Sequence, residues 1–410
     1  MTPAHAAKVK QIPYLCIMNK LLLFISGRRG QWKRLKAIFG KEEQNASVLW
    51  LHCASLGEFE QGRPVLEAYR MRYPDHKILL TFFSPSGYEV RKNTPLADYV
   101  FYLPLDSPRN ARRFLNLVRP SAAVFVKYEF WYFYLAQLKK REVPTYLISA
   151  RFRPEQPFFK KYGVPFRRML TCFTHLFVQD ADSLALLSSL GPAALPVTVA
   201  GDTRFDRVTA VAARDNTPDL FRKLVREPVL IAGSTWPEDE ILLEQTAREW
   251  PSLQIILAPH EIHPRHLSAI ARLFEKRDPV FFSSAREGSA PDILVIDSIG
   301  MLSSLYRYAT VCYIGGGFNT SGIHNTLEAA VYGKPVLFGP NYKKFKEACD
   351  LIACGAAAAV DSPASSADVL KTWLEDPQLM LNAGKAARDY VFAHKGATDT
   401  ILDKMADRVR

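Results

Sequence analysis

Short apolar runs rich in β-branched and aromatic residues recur along the chain from residue 45 onward, and stretches with helical spacing separate them. VLWLHCASL, ILLTFF, DYVFYLPL, AAVFVKY, TYLISARF and HLFVQ form a first series; VLIAGST, QIILAPH, PVFFSS, DILVID, VCYIGGGF and PVLFGP form a second. A continuous apolar run bounded by turn residues fits a strand covered on both faces, and the helix between two such strands supplies the crossover that parallel neighbours need. The pattern predicts two parallel sheets wrapped by helices, an α/β fold. The alternation weakens in PVTVAGDTRFDRVTAVAARDNTPDLFRKL, so a linker is expected near residues 202–220. Domains are expected at 45–205 and 206–410, with 1–44 as a separate N-terminal segment. Stretches at 363–375, 377–393 and 395–409 have amphipathic spacing, and the last helices are expected to pack on a domain face, including back onto the N-terminal domain.

A length of 410 residues agrees with two domains, because single cores stop growing well below that size. Each open parallel sheet carries its ligand crevice outside the carboxyl ends of its strands, and two facing crevices form one interdomain cleft. That is the architecture of a GT-B-type glycosyltransferase, with two Rossmann-like domains facing the cleft. A composition 48% hydrophobic and 23% charged excludes a mostly disordered or polytopic membrane chain. Lysine and arginine number 53 against 41 aspartate and glutamate, a net charge of +12 that favours anionic partners. The cysteines are scattered without a C-x-x-C pair and read as reduced thiols.

Residues 12–26, IPYLCIMNKLLLFIS, are apolar but interrupted by Asn19 and Lys20, and shorter than the roughly 20 apolar residues that span a bilayer. Arg28, Arg29, Trp32, Lys33, Arg34, Lys36 and Lys41 follow. Hydrocarbon followed by cations and an indole suits a monotopic anchor at an anionic membrane surface; the competing reading is an ordinary helix packed on the first domain.

Ala54-Ser55-Leu56-Gly57-Glu58 directly follows the run VLWLHC. A carboxylate just past a strand end, on a turn opening a helix, points into the crevice and suits proton removal from an acceptor hydroxyl; it equally suits a helix N-terminal acid opposite the dipole. Ser55 and Gly57 belong to the acceptor side of this turn. Lys127-Tyr128-Glu129-Phe130-Trp131 ends another apolar run. An ionised Glu129 among aromatics is either buried and paired or pocket-facing. Lys127 is a salt-bridge partner, an acceptor-phosphate contact or solvated, and Arg204 in GDTRFD either binds an anion or braces the domain junction.

Gly315-Gly316-Gly317-Phe318-Asn319-Thr320-Ser321-Gly322-Ile323-His324-Asn325-Thr326-Leu327-Glu328 is the strongest local signal. Glycines after a strand let backbone amides approach a phosphate, and a helix opening near residues 321–325 offers unpaired N–H groups to it. Glu328, three residues past Asn325, is placed to accept ribose hydroxyls, with Ser321 and His324 beside the seat. Gly233-Ser234-Thr235-Trp236 is a second strand-end turn, with Ser234 and Thr235 as phosphate or sugar-carboxylate donors or as helix caps. His260-Glu261-Ile262-His263-Pro264-Arg265-His266 lacks the spacing of paired metal-binding histidines on a helix, and it reads as a loop that brings Pro259, His260 and Glu261 to the nucleotide. Neither an ATP-hydrolysing P-loop nor a dehydrogenase G-x-G-x-x-G is present.

Together ASLGE, KYEFW, GDTRFD, AGSTW, APHEIHP and GGGFNTSGIHNTLEA resemble the 3-deoxy-D-manno-octulosonic acid (Kdo) transferase family, in the family's order and over nearly the whole chain. The resemblance implies an inverting, metal-independent enzyme without cofactor. It would move Kdo from CMP-Kdo to a lipid A precursor (lipid IVA) in lipopolysaccharide biosynthesis, on the cytoplasmic face of the bacterial inner membrane. It implies Glu58 as general base, Glu129 as a second essential carboxylate, and a CMP pocket at Pro259, His260, Gly315, Gly316, Gly317, Asn325 and Glu328. Family members commonly read G-G-H-N where this chain has Gly322-Ile323-His324-Asn325. A UDP-sugar transferase or epimerase is the nearest rival reading; a nucleic-acid-binding protein rests on net charge alone, and no nucleic-acid partner is expected.

Overall fold

The computed structural model describes residues 30–40, 47–191, 195–289 and 291–408. The chain divides into two compact units, Met1–Arg207 with Gly396–Arg410, and Val208–Lys395.

The sheet of the first unit contains β1 (Val48–Cys53), β2 (Lys77–Phe82), β3 (Tyr99–Tyr102), β4 (Ala122–Val126), β5 (Thr145–Ala150), β6 (His175–Val178) and β7 (Val197–Val199). The order is β3-β2-β1-β4-β5-β6-β7, every pairing parallel. Side chains alternate between faces, so each strand feeds two cores. Trp50, Leu79, Phe101, Phe125 and Leu147 meet Phe114 and Tyr134 on one face. Leu49, Leu51, Leu80, Val124 and Ile148 meet Phe59, Leu66 and Tyr69 on the other. Burial on both faces is why these strands read as unbroken apolar runs.

The last helix, Ala397–Ala406, adds Ile401, Leu402 and Met405 to that second core. Its start is held by Asp206, whose carboxylate accepts from Gly396 N at 2.6 Å and from Thr398 N and Oγ1 at 2.7 Å each. The helix Gln31–Phe39 buries Leu35 against the first core, and the Arg113 guanidinium lies 4.3 Å from the centre of the half-buried Trp32 ring. Trp32 is thus taken up by packing. Residues 12–26 lie outside the described residues. No helix among the described residues is long and apolar enough to cross a membrane.

The second unit contains β8 (Val229–Thr235), β9 (Gln254–Pro259), β10 (Val280–Phe281), β11 (Ile293–Val295), β12 (Val311–Ile314), β13 (Val336–Phe338) and β14 (Ala357–Ala359), in the parallel order β10-β11-β9-β8-β12-β13-β14. Every run of the two sequence series contains a strand, although PVFFSS keeps only Val280–Phe281 before turning into a short 3-10 segment. β7 falls in the stretch where the alternation weakens. β14 is an alanine triplet, and alanine is the best helix former; it is a strand because its backbone pairs in register with Val336, Leu337 and Phe338.

Candidate active site

In each sheet the strand order reverses at one gap, β1/β4 in the first unit and β8/β12 in the second. Connections leave such neighbours toward opposite faces, so a crevice opens at their carboxyl ends. ASLGE and KYEFW flank the first gap and GSTW and the glycine cluster the second, whereas HEIHPRH follows β9 and GDTRFD follows β7.

In the first unit two residues separate β1 from the helix Leu56–Arg72, which has Ser55 as its N-cap and Glu58 in its first turn. The spacing is that of a capping box, yet Ser55 makes no side-chain bond to the helix backbone. Its hydroxyl instead donates to the Glu58 carboxylate, which is half-buried. Glu58 is therefore held by one hydroxyl at the crevice rather than spent on closing the helix. A Cβ on the exposed Gly57 would meet only Ser55 Oγ, at 3.8 Å.

Glu129 follows β4 and is buried and paired: Oε2 lies 3.2 Å from His52 Nε2 and accepts from Trp131 Nε1 at 2.6 Å. Burial, and after it the charges of Glu58 and Glu129, push the Cys53 thiol well above its ordinary range. Both carboxylates are thus close enough to act on the end of β1, and Cys53 stays a thiol. Lys127 adopts φ 64, a left-handed conformation that costs a non-glycine residue about 1–3 kcal/mol and concentrates at functional turns. Arg204 grips Asp202 through Nε at 2.9 Å and a terminal guanidinium nitrogen at 2.8 Å.

In the second unit Ser234 repeats the strain of Lys127, with φ 55 at the end of β8. Neither Ser234 nor Thr235 caps the following helix Pro237–Glu249; Trp236 occupies that position. Thr235 is fully buried and donates to Glu240 at 3.0 Å, so its hydroxyl faces inward. Gly315, Gly316 and Gly317 follow β12 and are buried. A helix opening at residues 321–325 is corrected by the structure: those residues form a loop, and the helix is the single turn Leu327–Ala330. Its short length leaves little aligned dipole, so an anion bound here would depend on loop amides and side chains. Asn325 ties that turn together, accepting from Leu327 N at 3.3 Å and donating to Glu328 Oε1 at 3.1 Å. Ser321 is exposed, Ile323 is buried, and Gly322 (φ 78) sits where a Cβ would meet Asn341 O at 2.6 Å.

The three histidines of the HEIHPRH stretch separate. His260 is exposed, stacks on Trp236 at 4.8 Å between ring centres, and lies 4.6 Å from the His324 ring. His263 caps the helix Pro264–Leu273, accepting from His266 N at 3.1 Å. His266 is buried against Glu240 at 3.0 Å. Pro259 ends β9, and the exposed Glu261 pairs with His263. Among the described residues no group of three His, Cys, Asp or Glu is placed to hold a metal ion. Burial, and then the neighbouring His260, hold the His324 imidazole down to about 4, so it is neutral near pH 7. Its Nε2 accepts from Trp236 Nε1 at 3.2 Å, which leaves the ring proton on Nδ1.

Two structurally central residues, His52 and Asp239, do not stand out in the sequence reading. Asp239 is fully buried and accepts from Tyr313 OH at 2.7 Å, Gly316 N at 2.8 Å and Trp236 N at 2.9 Å. The available signal was an acid three residues past Trp236 with Pro237 at the first helical position, a helix-start pattern.

Residues 29–207 match the family described as 3-deoxy-D-manno-octulosonic-acid transferase (kdotransferase). A 3-deoxy-D-manno-octulosonic acid transferase of Aquifex aeolicus is 30% identical over 326 residues, 77% of this chain and 83% of that protein. Its counterpart in Bordetella pertussis is 29% identical over 403 residues, 92% of each chain. Among solved structures, UDP-GlcNAc 2-epimerase from Neisseria meningitidis, bound to UDP-GlcNAc, superimposes with a TM-score of 0.62 at 15% identity over 88% of this chain and all of that one. That likeness shows the GT-B type of fold alone.

Proposed function

Since this chain belongs to the Kdo transferase family, we propose that it moves Kdo from CMP-Kdo onto a lipid A precursor with inversion at the anomeric carbon, Glu58 serving as general base. The supporting observation is the placement of Glu58 and Glu129 at the carboxyl ends of adjacent strands β1 and β4, where the sheet opens its crevice. Glu58 takes the proton of the acceptor's hydroxyl as the oxygen attacks, and CMP departs from the opposite face of the sugar. Bond breaking leads, so positive charge builds on the sugar ring and negative charge on the departing phosphate.

The second unit supplies the donor half. The backbone amides of Gly315, Gly316 and Gly317, with Ser234, His324 and the Asn325–Glu328 pair, receive phosphate and ribose. Thr235 supports the turn from below through its bond to Glu240, Ser321 shapes the rim, and Pro259, His260 and Glu261 flank the base. A hydrogen-bonding seat oriented beforehand stabilises leaving-group charge without reorganising, and no metal is needed in this reading. Ser55, Gly57, Lys127 and Arg204 serve the acceptor, the cations by attracting its phosphates; Arg204 is presented by its grip on Asp202. The acceptor places the enzyme at the cytoplasmic face of the inner membrane.

Incubation with CMP-Kdo and lipid IVA, read by mass spectrometry, should give a product heavier by at least one Kdo, and NMR of the new linkage should show inverted configuration. No Kdo adduct, or stronger thermal stabilisation by UDP than by CMP, would overturn the assignment. EDTA should leave turnover intact.

A further inference from the structure

His52 lies inside the sheet of the first unit with no exposed surface, and its contacts form a chain from Trp50 to Glu129. β1 and β2 run in register with Trp50 opposite Leu79 and His52 opposite Thr81, and the period of two places Trp50 and His52 on one face. The Trp50 indole N–H, which can only donate, ends on Thr81 Oγ1 at 2.8 Å. That hydroxyl still has its own proton to offer His52 Nδ1, 2.8 Å away. A neutral imidazole that accepts at Nδ1 carries its proton on Nε2, and Nε2 faces Glu129 Oε2 at 3.2 Å. Trp131 gives a second N–H to the same oxygen.

We propose that Thr81 and Trp50 are positioning residues for Glu129: they select the His52 tautomer that aims an N–H at this carboxylate and so hold it in place at the crevice. The inference rests on the reading of Glu129 as the second essential carboxylate. Apolar side chains would fill the same interior without any polar group to satisfy, whereas this chain runs from the core to a carboxylate beside the sheet's switch point. An alternative acceptor makes the selection testable. The Thr81 carbonyl lies 3.1 Å from the same Nδ1. Without the hydroxyl, Nδ1–H donates to that carbonyl, the tautomer reverses, and the Nε2 lone pair faces Glu129, which then binds a proton more tightly. The titratable partner of Glu129 is His52 from β1, and its charge also reaches Cys53, as do those of Glu58 and Glu60 from the following helix, while Lys127 stands two residues before it in the chain; Cys53, held far up by burial, does not titrate in the range concerned.

The test compares wild type, Thr81→Val, Thr81→Ser and Glu129→Gln in the transfer assay over a range of pH. Thr81→Val should lower kcat about 10-fold, leave the KM for CMP-Kdo within about 2-fold, and move the acid limb of the kcat/KM profile up by about one pH unit, while Thr81→Ser restores all three. Loss of activity in Thr81→Val with an unmoved acid limb would mean that the chain only supports the core, and overturns the proposal. Glu129→Gln with near-normal turnover would instead remove the premise about Glu129. If Thr81→Val does not fold, NMR of wild type carrying nitrogen-labelled histidine, with the His52 signal identified through His52→Gln, decides the matter. A protonated Nε2 with a bare Nδ1 supports the assignment; the reversed tautomer or a doubly protonated ring overturns it.

Discussion

Asp239 Oδ2 accepts the backbone N–H of Gly316 at 2.8 Å, linking the first turn of the helix after β8 to the glycine turn after β12. A glycine cluster has no side chains with which to fix its own amides. Here the fixing comes from a carboxylate on the far side of the β8/β12 gap, itself held by Tyr313 OH and Trp236 N. Burial pushes the Asp239 carboxyl above its ordinary range against the pull of these three donors.

Asp239→Asn places an amide N–H against one of three donors. The variant should lose about 1–3 kcal/mol of stability in denaturant titration, the usual cost of a buried polar group left unpaired, and raise the KM for CMP-Kdo more than it lowers kcat. Unchanged donor KM would separate Asp239 from the seat.

Glycine substitutions should divide sharply. A Cβ on Gly317 would fall 2.4 Å from Gly339 Cα and 2.5 Å from Gly339 N, backbone that cannot step aside. Gly317→Ala should therefore lose CMP-induced thermal stabilisation. Gly57→Ala meets no such obstacle and replaces a helix glycine at a gain of up to about 1 kcal/mol, so its melting temperature should hold or rise.

Glu58→Gln keeps size and polarity but cannot take a proton. Turnover should fall about 10²-fold or more with CMP binding and folding retained, as expected of a positioned base. Turnover near wild type would assign the proton transfer to another group.

His324 would tie acid sensitivity to the proposed donor seat. Its native value of about 4 lies below the unfolded value of 6.5, so the neutral ring favours the native state above pH 6.5, and that contribution is lost as pH falls toward 4. Between pH 7 and 4.5 the melting temperature of wild type should fall further than that of His324→Gln. Equal slopes by scanning fluorimetry would show that this ring does not titrate as its burial requires.

Much of the architecture was legible because the central strands bury both faces, and the physical requirement of a continuous apolar run is written directly in residues such as VLWLHC and QIILAP. β14 was not legible, since an alanine triplet carries no strand preference and is held only by its pairing with β13. The site divides in the same way. Glu58, Glu129 and the glycines after β12 follow strand ends, a local relation that the order of residues discloses. The helix expected at residues 321–325 failed because the glycines and polar side chains there satisfy one another as a loop, leaving one turn at Leu327–Ala330.

The chain alone dictates two runs of parallel strands, where each ends, and which acids and glycines stand at those ends, because these depend on neighbours in sequence. Folding alone decides that His52 meets Glu129, that Asp239 holds Gly316, and that three histidines in one short stretch go to three separate tasks. Those contacts join residues on different strands and helices, and their geometry exists only once the sheets have set the register.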